Sequence, residues 1–309
     1  MRIGVTQIVD HPALNAVRDG FIDTLETEYG YVRGEDVSYD LQNAQGDMAT
    51  ANIIAQKFAS ERPDLILTIA TPTSQAVINA ITDIPIVFSA VTDPVAAGLV
   101  QSLDCPGANV TGISDLTPVD RQFEFIGFLV PNAKNIGTLY NAAEINSVTT
   151  NDLALAACER FGWNLVEATV STSADIVLAA QSLVGRVDAI YVSTDNTVVS
   201  ALDGLIQVTM ANGIPLILAD PTTVEKGALA GLGFNYYQHG QQAADMGARV
   251  LQGEDPAGIA VQFAQNLELW FNIDVAQKLD VPLSELLNRL VEFSEDLKAR
   301  GMNVRLRYL

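Results

Sequence analysis

The sequence predicts an α/β protein of two Rossmann-like lobes, each built on a parallel sheet, that are joined by a hinge of three segments. Short β-branched runs alternate with amphipathic helical stretches along the chain, as they do in βαβ units. This series occurs twice, once at residues 2–89 and again at residues 135–218. At 309 residues the chain is about twice the commonest domain length, which also favours two lobes.

The first series opens on a strand and alternates regularly with helices. Its elements are strands at residues 2–8, 37–41, 64–70 and 84–89 and helices at residues 13–28, 48–60 and 73–80. The second series repeats this plan. Its elements are strands at residues 135–140, 164–168, 189–192 and 215–218 and helices at residues 148–161, 174–183 and 197–212.

Three further segments are predicted to cross between the lobes, at residues 111–115, 229–235 and 267–273. A helix at residues 237–252 then belongs to the first lobe, and helices at residues 274–279 and 283–297 end the second. Three crossings make a hinge that opens and shuts without unfolding either lobe. The predicted ligand-binding lobes comprise residues 1–114 plus 236–266 and residues 115–235 plus 267–309.

The composition narrows the class of partner. Lys and Arg total 17 against 37 Asp and Glu, a formal charge of −20, and such a surface repels phosphate backbones. Nucleic acid is therefore not an expected partner. The same acidity is equally compatible with an adaptation for solubility, so it does not identify the ligand.

Cysteine and histidine are too sparse for a zinc site. Cys105 and Cys158 lie in different predicted lobes, so we expect two separate thiols, and with His11 and His239 they match no metal motif. No run reaches the ~18 apolar residues that a membrane span needs. The sequence opens on a strand and not on an export signal. If the protein is secreted, we expect that its signal has been removed from this sequence.

Ligands of open parallel sheets bind beyond the carboxyl ends of the strands, where loops meet helix N-termini. In the first lobe these loops are rich in hydroxyls, which suit a carboxylate when they act together with backbone N–H groups. Helix capping is the alternative role of Asp10 and Thr71. The ligand-binding candidates of this lobe are Asp10, His11, Thr71, Thr73, Ser89, Ala90 and Thr92.

The corresponding loops of the second lobe supply amides and carboxylates, at Asn141, Ser193, Asp195 and Asp220. Helix capping is again the alternative role of the two aspartates. Hydroxyls in one lobe and carboxylates in the other suit a zwitterion, because each buried charge needs a partner. We therefore expect an amino acid, its ammonium on Asp195 or Asp220 near Asn141 and its carboxylate on the hydroxyl-rich loops.

Aromatic side chains near these loops offer an apolar wall for a side chain of the ligand. His11, Phe88 and Tyr236 are the candidates, because flat rings stack or pack edge-on. Packing in the strand core is the alternative role of Phe88.

Catalytic motifs are missing from the sequence. It contains no G-x-S-x-G elbow and no G-x-x-x-x-G-K-[ST] phosphate loop, and its glycine pairs do not complete a dinucleotide fingerprint. We therefore expect a binding protein that uses no cofactor and catalyses no reaction.

Several segments, in order along the chain, carry a family resemblance. They are VTQIVDHPAL at residues 5–14, PIVFSAVTDPVAAGLV at 85–100, NVTGISD at 109–115, Tyr140-Asn141 with Glu144 and Ser147, STDNT at 193–197, GALAGLGFNYY at 227–237 and FNIDVAQKL at 271–279. The chain resembles the ABC transporter substrate-binding proteins of the tryptophan/tyrosine-importer type, which have a type I periplasmic-binding-protein fold. It departs from them in its tail, residues 289–309, which is longer and more charged than we expect for this family. The tail is either a terminal helix or a stretch foreign to the protein.

The resemblance implies that the lobes close on one small ligand, an amino acid with aromatic ones favoured, which is delivered to a membrane permease. It also implies a monomer, periplasmic or lipid-anchored outside the cytoplasmic membrane. Two other functions are compatible with this fold: the effector-sensing domain of a regulator, and a two-lobed α/β enzyme. The regulator would need a basic DNA-binding segment, and the enzyme would consume its ligand.

Overall fold

The computed structural model describes residues 1–309, apart from the side chains of Ser284 and Glu285. The chain divides into two compact units, which we call the first unit (Met1–Leu116 with Tyr236–Ala264) and the second unit (Thr117–Asn235 with Gln265–Leu309). Residues 115 and 116 therefore group with the first unit, and residues 265 and 266 with the second. Each of these boundaries lies two residues from its predicted place.

The strands are numbered in chain order. They are β1 (Arg2–Gln7), β2 (Ser38–Asn43), β3 (Leu65–Ile69), β4 (Ile86–Val91), β5 (Val110–Ser114), β6 (Asn135–Asn141), β7 (Asn164–Val170), β8 (Ala189–Val192), β9 (Leu216–Leu218), β10 (Ala230–Phe234), β11 (Gln262–Phe263), β12 (Asn266–Phe271) and β13 (Asn303–Tyr308).

The α-helices are numbered in the same way. They are α1 (Pro12–Thr27), α2 (Met48–Glu61), α3 (Thr71–Ala80), α4 (Val119–Leu129), α5 (Ile145–Phe161), α6 (Ile176–Leu183), α7 (Asn196–Ser200), α8 (Leu202–Ala211), α9 (Tyr236–Leu251), α10 (Ile273–Lys278) and α11 (Leu283–Ala299). Short 3₁₀ helices occur at Ser173–Asp175, Pro221–Lys226 and Pro256–Gly258. Among the described residues, no helix combines the length and the apolar character that crossing a membrane requires.

The first unit is a parallel sheet in the order β11-β5-β4-β3-β1-β2. Its central strands β3 and β4 are fully buried, and for that reason most of their residues are apolar. Because the strands are parallel, the carboxyl ends of β1, β3 and β4 lie along one edge of this sheet. Helices α1 and α9 pack so closely that a Cβ atom on Gly20 would lie only 2.2 Å from the Tyr237 carbonyl oxygen.

The second unit has a sheet in the order β13-β12-β10-β9-β8-β6-β7, parallel except where β12 pairs antiparallel with β10. Helices α6 and α8 pack against it through an apolar core that includes Leu183, Ile190 and Leu205. The carboxyl ends of β6, β8 and β9 meet at one edge.

All three predicted crossing segments contain strands. Residues 110–114, 230–234 and 266–271 form β5, β10 and β12, and the chain changes unit beside each of them. The predicted helix 197–212 is also two helices, because Ala201 between them leaves the helical region at φ −121° and ψ 28°.

The chain's end is not a single terminal helix. Helix α11 ends at Ala299, and residues 303–308 form the edge strand β13, parallel to β12. Helix α4 was also not predicted. The two cysteines are separate thiols as expected, Cys105 exposed and Cys158 buried.

Candidate functional site

In the loop after β1, Asp10 does not take its alternative role, because it does not cap helix α1. The N-cap is His11, which is buried and makes no side-chain capping bond, and Pro12 occupies the first turn. Asp10 is exposed and accepts a hydrogen bond from Asn15 Nδ2 at 2.5 Å. It lies in a small groove of about 210 Å³ whose wall also contains Arg18.

The loop after β3 contains a strained residue. Ala70 has φ +81° and ψ 153°, a region that side-chain-bearing residues rarely adopt, and helix α3 begins directly after it. Thr73 Oγ1 donates to the carbonyl oxygen of Ile69 at 2.7 Å, so its proton is already engaged. Thr71 does not cap the helix. Its Oγ1 has no hydrogen-bond partner in the described part of the chain, although the residue is only 1% exposed.

The loop after β4 is held by side chains from other elements. Ser89 Oγ and His239 Nδ1 share a hydrogen bond at 2.8 Å, and Ala90 has a left-handed φ of +54°. Thr92 Oγ1 donates to Asp115 Oδ1 at 3.2 Å. The hydroxyls of Ser89 and Thr92 therefore take part in the unit's own network.

That network is centred on a buried carboxylate. Asp115 Oδ2 accepts a hydrogen bond from Tyr236 Oη at 2.9 Å, and burial raises the pKa of Asp115 to about 6 despite this bond and that from Thr92. Burial lowers the pKa of His239 to about 4, so its ring is neutral at pH 7. Phe88 is fully buried with its ring against Gly112, as its alternative role in the strand core predicts.

In the second unit, the ends of β6 and β8 are joined through Asp195. This residue is fully buried and is the N-cap of α7, as the capping alternative predicts, with Oδ1 accepting from the Val198 N–H at 2.8 Å. Oδ2 accepts from the Asn141 N–H at 2.6 Å. Burial and the nearby charge of Glu144 raise the pKa of Asp195. Ser193, just before it, is also buried.

Beside Asp195 lies a second acidic group that the sequence-based candidates omit. Glu144 accepts from Asn196 Nδ2 at 2.6 Å and from Thr197 Oγ1 at 2.7 Å. The Asn146 amide donates to the Thr194 carbonyl at 3.1 Å, but its buried Oδ1 has no hydrogen-bond partner among the described residues. Glu144 and Asn146 lie in the loop after the predicted strand 135–140, which the strand-end argument does reach, although only Asn141 of that loop is among the candidates.

Asp220, after β9, differs from Asp195 in having one unused oxygen. It is the N-cap of the 3₁₀ helix Pro221–Lys226, as the capping alternative predicts: its Oδ1 accepts from both the backbone N–H and the hydroxyl of Thr222, at 2.9 and 2.7 Å. Its Oδ2 has no hydrogen-bond partner in the residues that the structure describes, and Asp220 is only 6% exposed. Burial, with a smaller contribution from the charge of Glu268, raises the pKa of Asp220 to about 6 despite the bonds from Thr222.

The predicted residues thus form one set in each unit. In the first unit, the loops after β1, β3 and β4 lie along one sheet edge, and Tyr236 at the start of α9 reaches Asp115. In the second unit, Asn141 and Asp195 are in contact, and Asp220 follows the strand next to β8. Thr71 Oγ1 and Asp220 Oδ2 are both buried and have no hydrogen-bond partner within the described residues, and a buried polar atom in that state calls for an explanation.

Comparison with known proteins confirms the resemblance. The family model for ABC transporter substrate binding proteins matches residues 2–292. A protein of Clostridioides difficile (strain R20291) named tyrosine-binding protein is 42% identical over 279 residues, which cover 90% of this chain and 81% of that protein.

Two solved structures have closely similar folds. A conserved domain protein from Vibrio cholerae superposes with a TM-score of 0.91 at 44% identity, covering 93% of this chain and 97% of the other. An ABC domain from Streptococcus pneumoniae in complex with L-Trp gives a TM-score of 0.88 at 33% identity, with the same coverage. The fold is that of type I periplasmic binding proteins. The chain therefore belongs to the ABC transporter substrate-binding proteins.

Proposed function

We propose that this substrate-binding protein takes an aromatic amino acid as its ligand. Two relatives support the proposal, the C. difficile protein named for tyrosine and the S. pneumoniae domain in complex with L-Trp. The single observation that carries it is the buried, unpartnered oxygen of Asp220. A buried carboxylate oxygen in that state requires a donor, and an ammonium group supplies both a donor and the opposite charge.

Asp220, and not Asp195, is the proposed partner of the ligand's ammonium. Both oxygens of Asp195 are engaged by backbone N–H groups that would lose their acceptor if a ligand displaced them. Asp220 Oδ2 can bind a cation without breaking a bond of the chain. Asn141 and Ser193 then act indirectly, by holding the loop in which Asp195 lies.

Thr71 is the proposed partner of the ligand's carboxylate. Its hydroxyl is available, and it stands in the first turn of α3, where N–H groups lack intrahelical acceptors. The left-handed backbone of Ala70 sets the direction of this turn. Thr73, Ser89, Ala90 and Thr92 support the loops from behind, and His11 and Tyr236 remain the proposed partners of the aromatic ring.

Further proposals concern what the protein does with its ligand. Substrate-binding proteins of this family act outside the cytoplasm and pass a small molecule to a membrane permease. We propose that this one works as a monomer, releases its ligand unchanged, and is free in the periplasm or held by a lipid anchor.

A ligand screen tests the proposed function. The protein is unfolded, dialysed free of ligand and refolded, and its melting temperature is measured with each of the twenty amino acids, common sugars and nucleosides. A ligand that binds only the folded state raises the melting temperature, so we expect a rise with tyrosine, tryptophan or phenylalanine. A rise with sugars or nucleosides alone would overturn the proposal. Mass spectrometry after prolonged incubation should recover the bound compound unaltered.

A further inference from the structure

We propose that Glu268 is the second carboxylate of the cation site at Asp220, and that the pair restricts the ligand to compounds that carry an amine. This inference rests on the proposed function and deepens it, because it names a residue that determines specificity and the chemical group it selects.

Strand register places the two acids on the same face of the sheet. Asp220 lies two residues beyond the end of β9, and Gly233 of β10 abuts the residue between, since a Cβ atom there would lie 1.8 Å from the Ala219 carbonyl oxygen. Glu268 of β12 is the antiparallel partner of Gly233. Directly paired residues place their side chains on the same sheet face, so Glu268 lies on the face where the chain turns into Asp220.

Glu268 is buried, at 7% exposure, and has neutral partners only. Its Oε1 accepts from Asn235 Nδ2 at 3.2 Å and its Oε2 from Trp270 Nε1 at 2.7 Å. Asp220 likewise receives neutral donors, both from Thr222. Two buried carboxylates close together repel each other unless a cation joins them.

The charged groups of the packed elements do not supply that cation. Strands β9 and β10 carry no titratable side chain. In the 3₁₀ helix after Asp220, Glu225 and Lys226 are exposed, and Lys226 pairs with Asp203. Arg305 of β13, the register partner of Glu268, is exposed and makes no ion pair with it within 4.0 Å among the described residues. Arg307 lies over the Trp270 ring.

The site is therefore built for a cation that arrives with the ligand. The unused Oδ2 of Asp220 receives the ammonium directly, and Glu268 acts behind it as a positioning residue that adds negative charge. The charge of Glu268 also helps to raise the pKa of Asp220 to about 6. A ligand without an amine would leave both carboxylates buried and uncompensated, so the site would reject it.

Binding of three probes tests the inference: L-tyrosine, tyramine and 3-(4-hydroxyphenyl)propionate, the last of which lacks the amine. Calorimetry between pH 4.5 and 8 would compare the wild type with Glu268→Gln, and Glu225→Gln serves as the matched exposed control. We expect the wild type to reject the propionate. Glu268→Gln should bind L-tyrosine about tenfold more weakly, and its affinity should fall off at a lower pH than in the wild type.

Two results would overturn the inference: binding of the propionate as tightly as L-tyrosine, or an unchanged pH profile in Glu268→Gln. If no aromatic amino acid binds at all, the proposed function fails. The role of Glu268 is then tested by titrating Asp220 in the ligand-free protein. Carboxyl ¹³C NMR, with Asp220 assigned through Asp220→Asn, should then show a lower titration midpoint for Asp220 in Glu268→Gln. An unchanged midpoint would refute the role of Glu268. Circular dichroism would establish that each variant is folded.

Discussion

Asp195 Oδ2 accepts a hydrogen bond from the backbone N–H of Asn141 at 2.6 Å, which ties the end of β6 to the start of α7. Its other oxygen caps α7 through the Val198 N–H. With both oxygens engaged in a fully buried position, Asp195 serves the stability of the second unit. Asp220, one strand further along, has one oxygen without a hydrogen-bond partner among the described residues.

Replacing Asp195 should therefore cost stability. Asp195→Ala removes a helix cap and leaves a buried N–H without an acceptor, so we expect the free energy of unfolding to fall by about 2–4 kcal/mol. Urea denaturation followed by circular dichroism measures this. Asp203→Ala, which removes an exposed acid in the first turn of α8, is the control and should change stability by less than ~0.5 kcal/mol. Lost ligand affinity with unchanged stability would instead make Asp195 the ligand's partner.

Replacing Asp220 should cost ligand affinity and leave the stability of the protein intact, the opposite of what we expect for Asp195. Asp220→Asn keeps an oxygen for the Thr222 donors but removes the buried charge, so the melting temperature of the ligand-free protein should stay the same or rise. Affinity for the aromatic amino acid should fall by about 2–5 kcal/mol, because a buried ammonium loses its counter-charge. Calorimetry with the ligand that the screen identifies would show this. Wild-type affinity in Asp220→Asn would refute the assignment.

The alternation of strands and helices was enough to predict which loops follow the strands of the two sheets. Asp195, Asp220 and Thr71 became candidates because each was predicted to follow a strand of a parallel sheet, and each does. The sequence could not distinguish the two aspartates, because the bond that occupies Asp195 comes from an N–H 54 residues away.

Glu268 and β13 were missed for a related reason. An acidic residue in the middle of a strand ordinarily indicates a solvent-facing position, and only the pairing with Gly233 makes Glu268 part of a buried edge. Strand β13 is mostly exposed and carries two arginines, and it is defined by its pairing with β12. Contacts that depend on register cannot be derived from local pattern alone.

Asp115 should make the ligand-free protein more stable as the pH falls. Its folded-state pKa of about 6 exceeds its usual value of 3.8, so the folded state takes up a proton first and stability rises as pH falls through about 6. Between pH 7 and pH 5 this amounts to about 1 kcal/mol, and Asp115→Asn should lose that increment. His239 acts in the opposite direction, because its pKa is lowered to about 4, but its contribution cancels between wild type and variant. Urea unfolding at both pH values measures the difference, and equal pH dependence in the two proteins would contradict it.

Ala70 stores backbone strain at the start of α3, and removing its side chain should release it. At φ +81° and ψ 153° a Cβ atom is disfavoured, whereas glycine adopts this region readily. Ala70→Gly should therefore raise the free energy of unfolding by ~1 kcal/mol, after allowance for the larger entropy of glycine in the unfolded chain. Ala76→Gly, a buried position within the same helix, is the matched control and should lower stability by ~1 kcal/mol or more. Thermal and urea unfolding distinguish the two signs. A loss of stability in Ala70→Gly would contradict this prediction. It would mean that packing of the Ala70 methyl group contributes more free energy than the backbone strain costs, so that side-chain contacts hold the turn before Thr71.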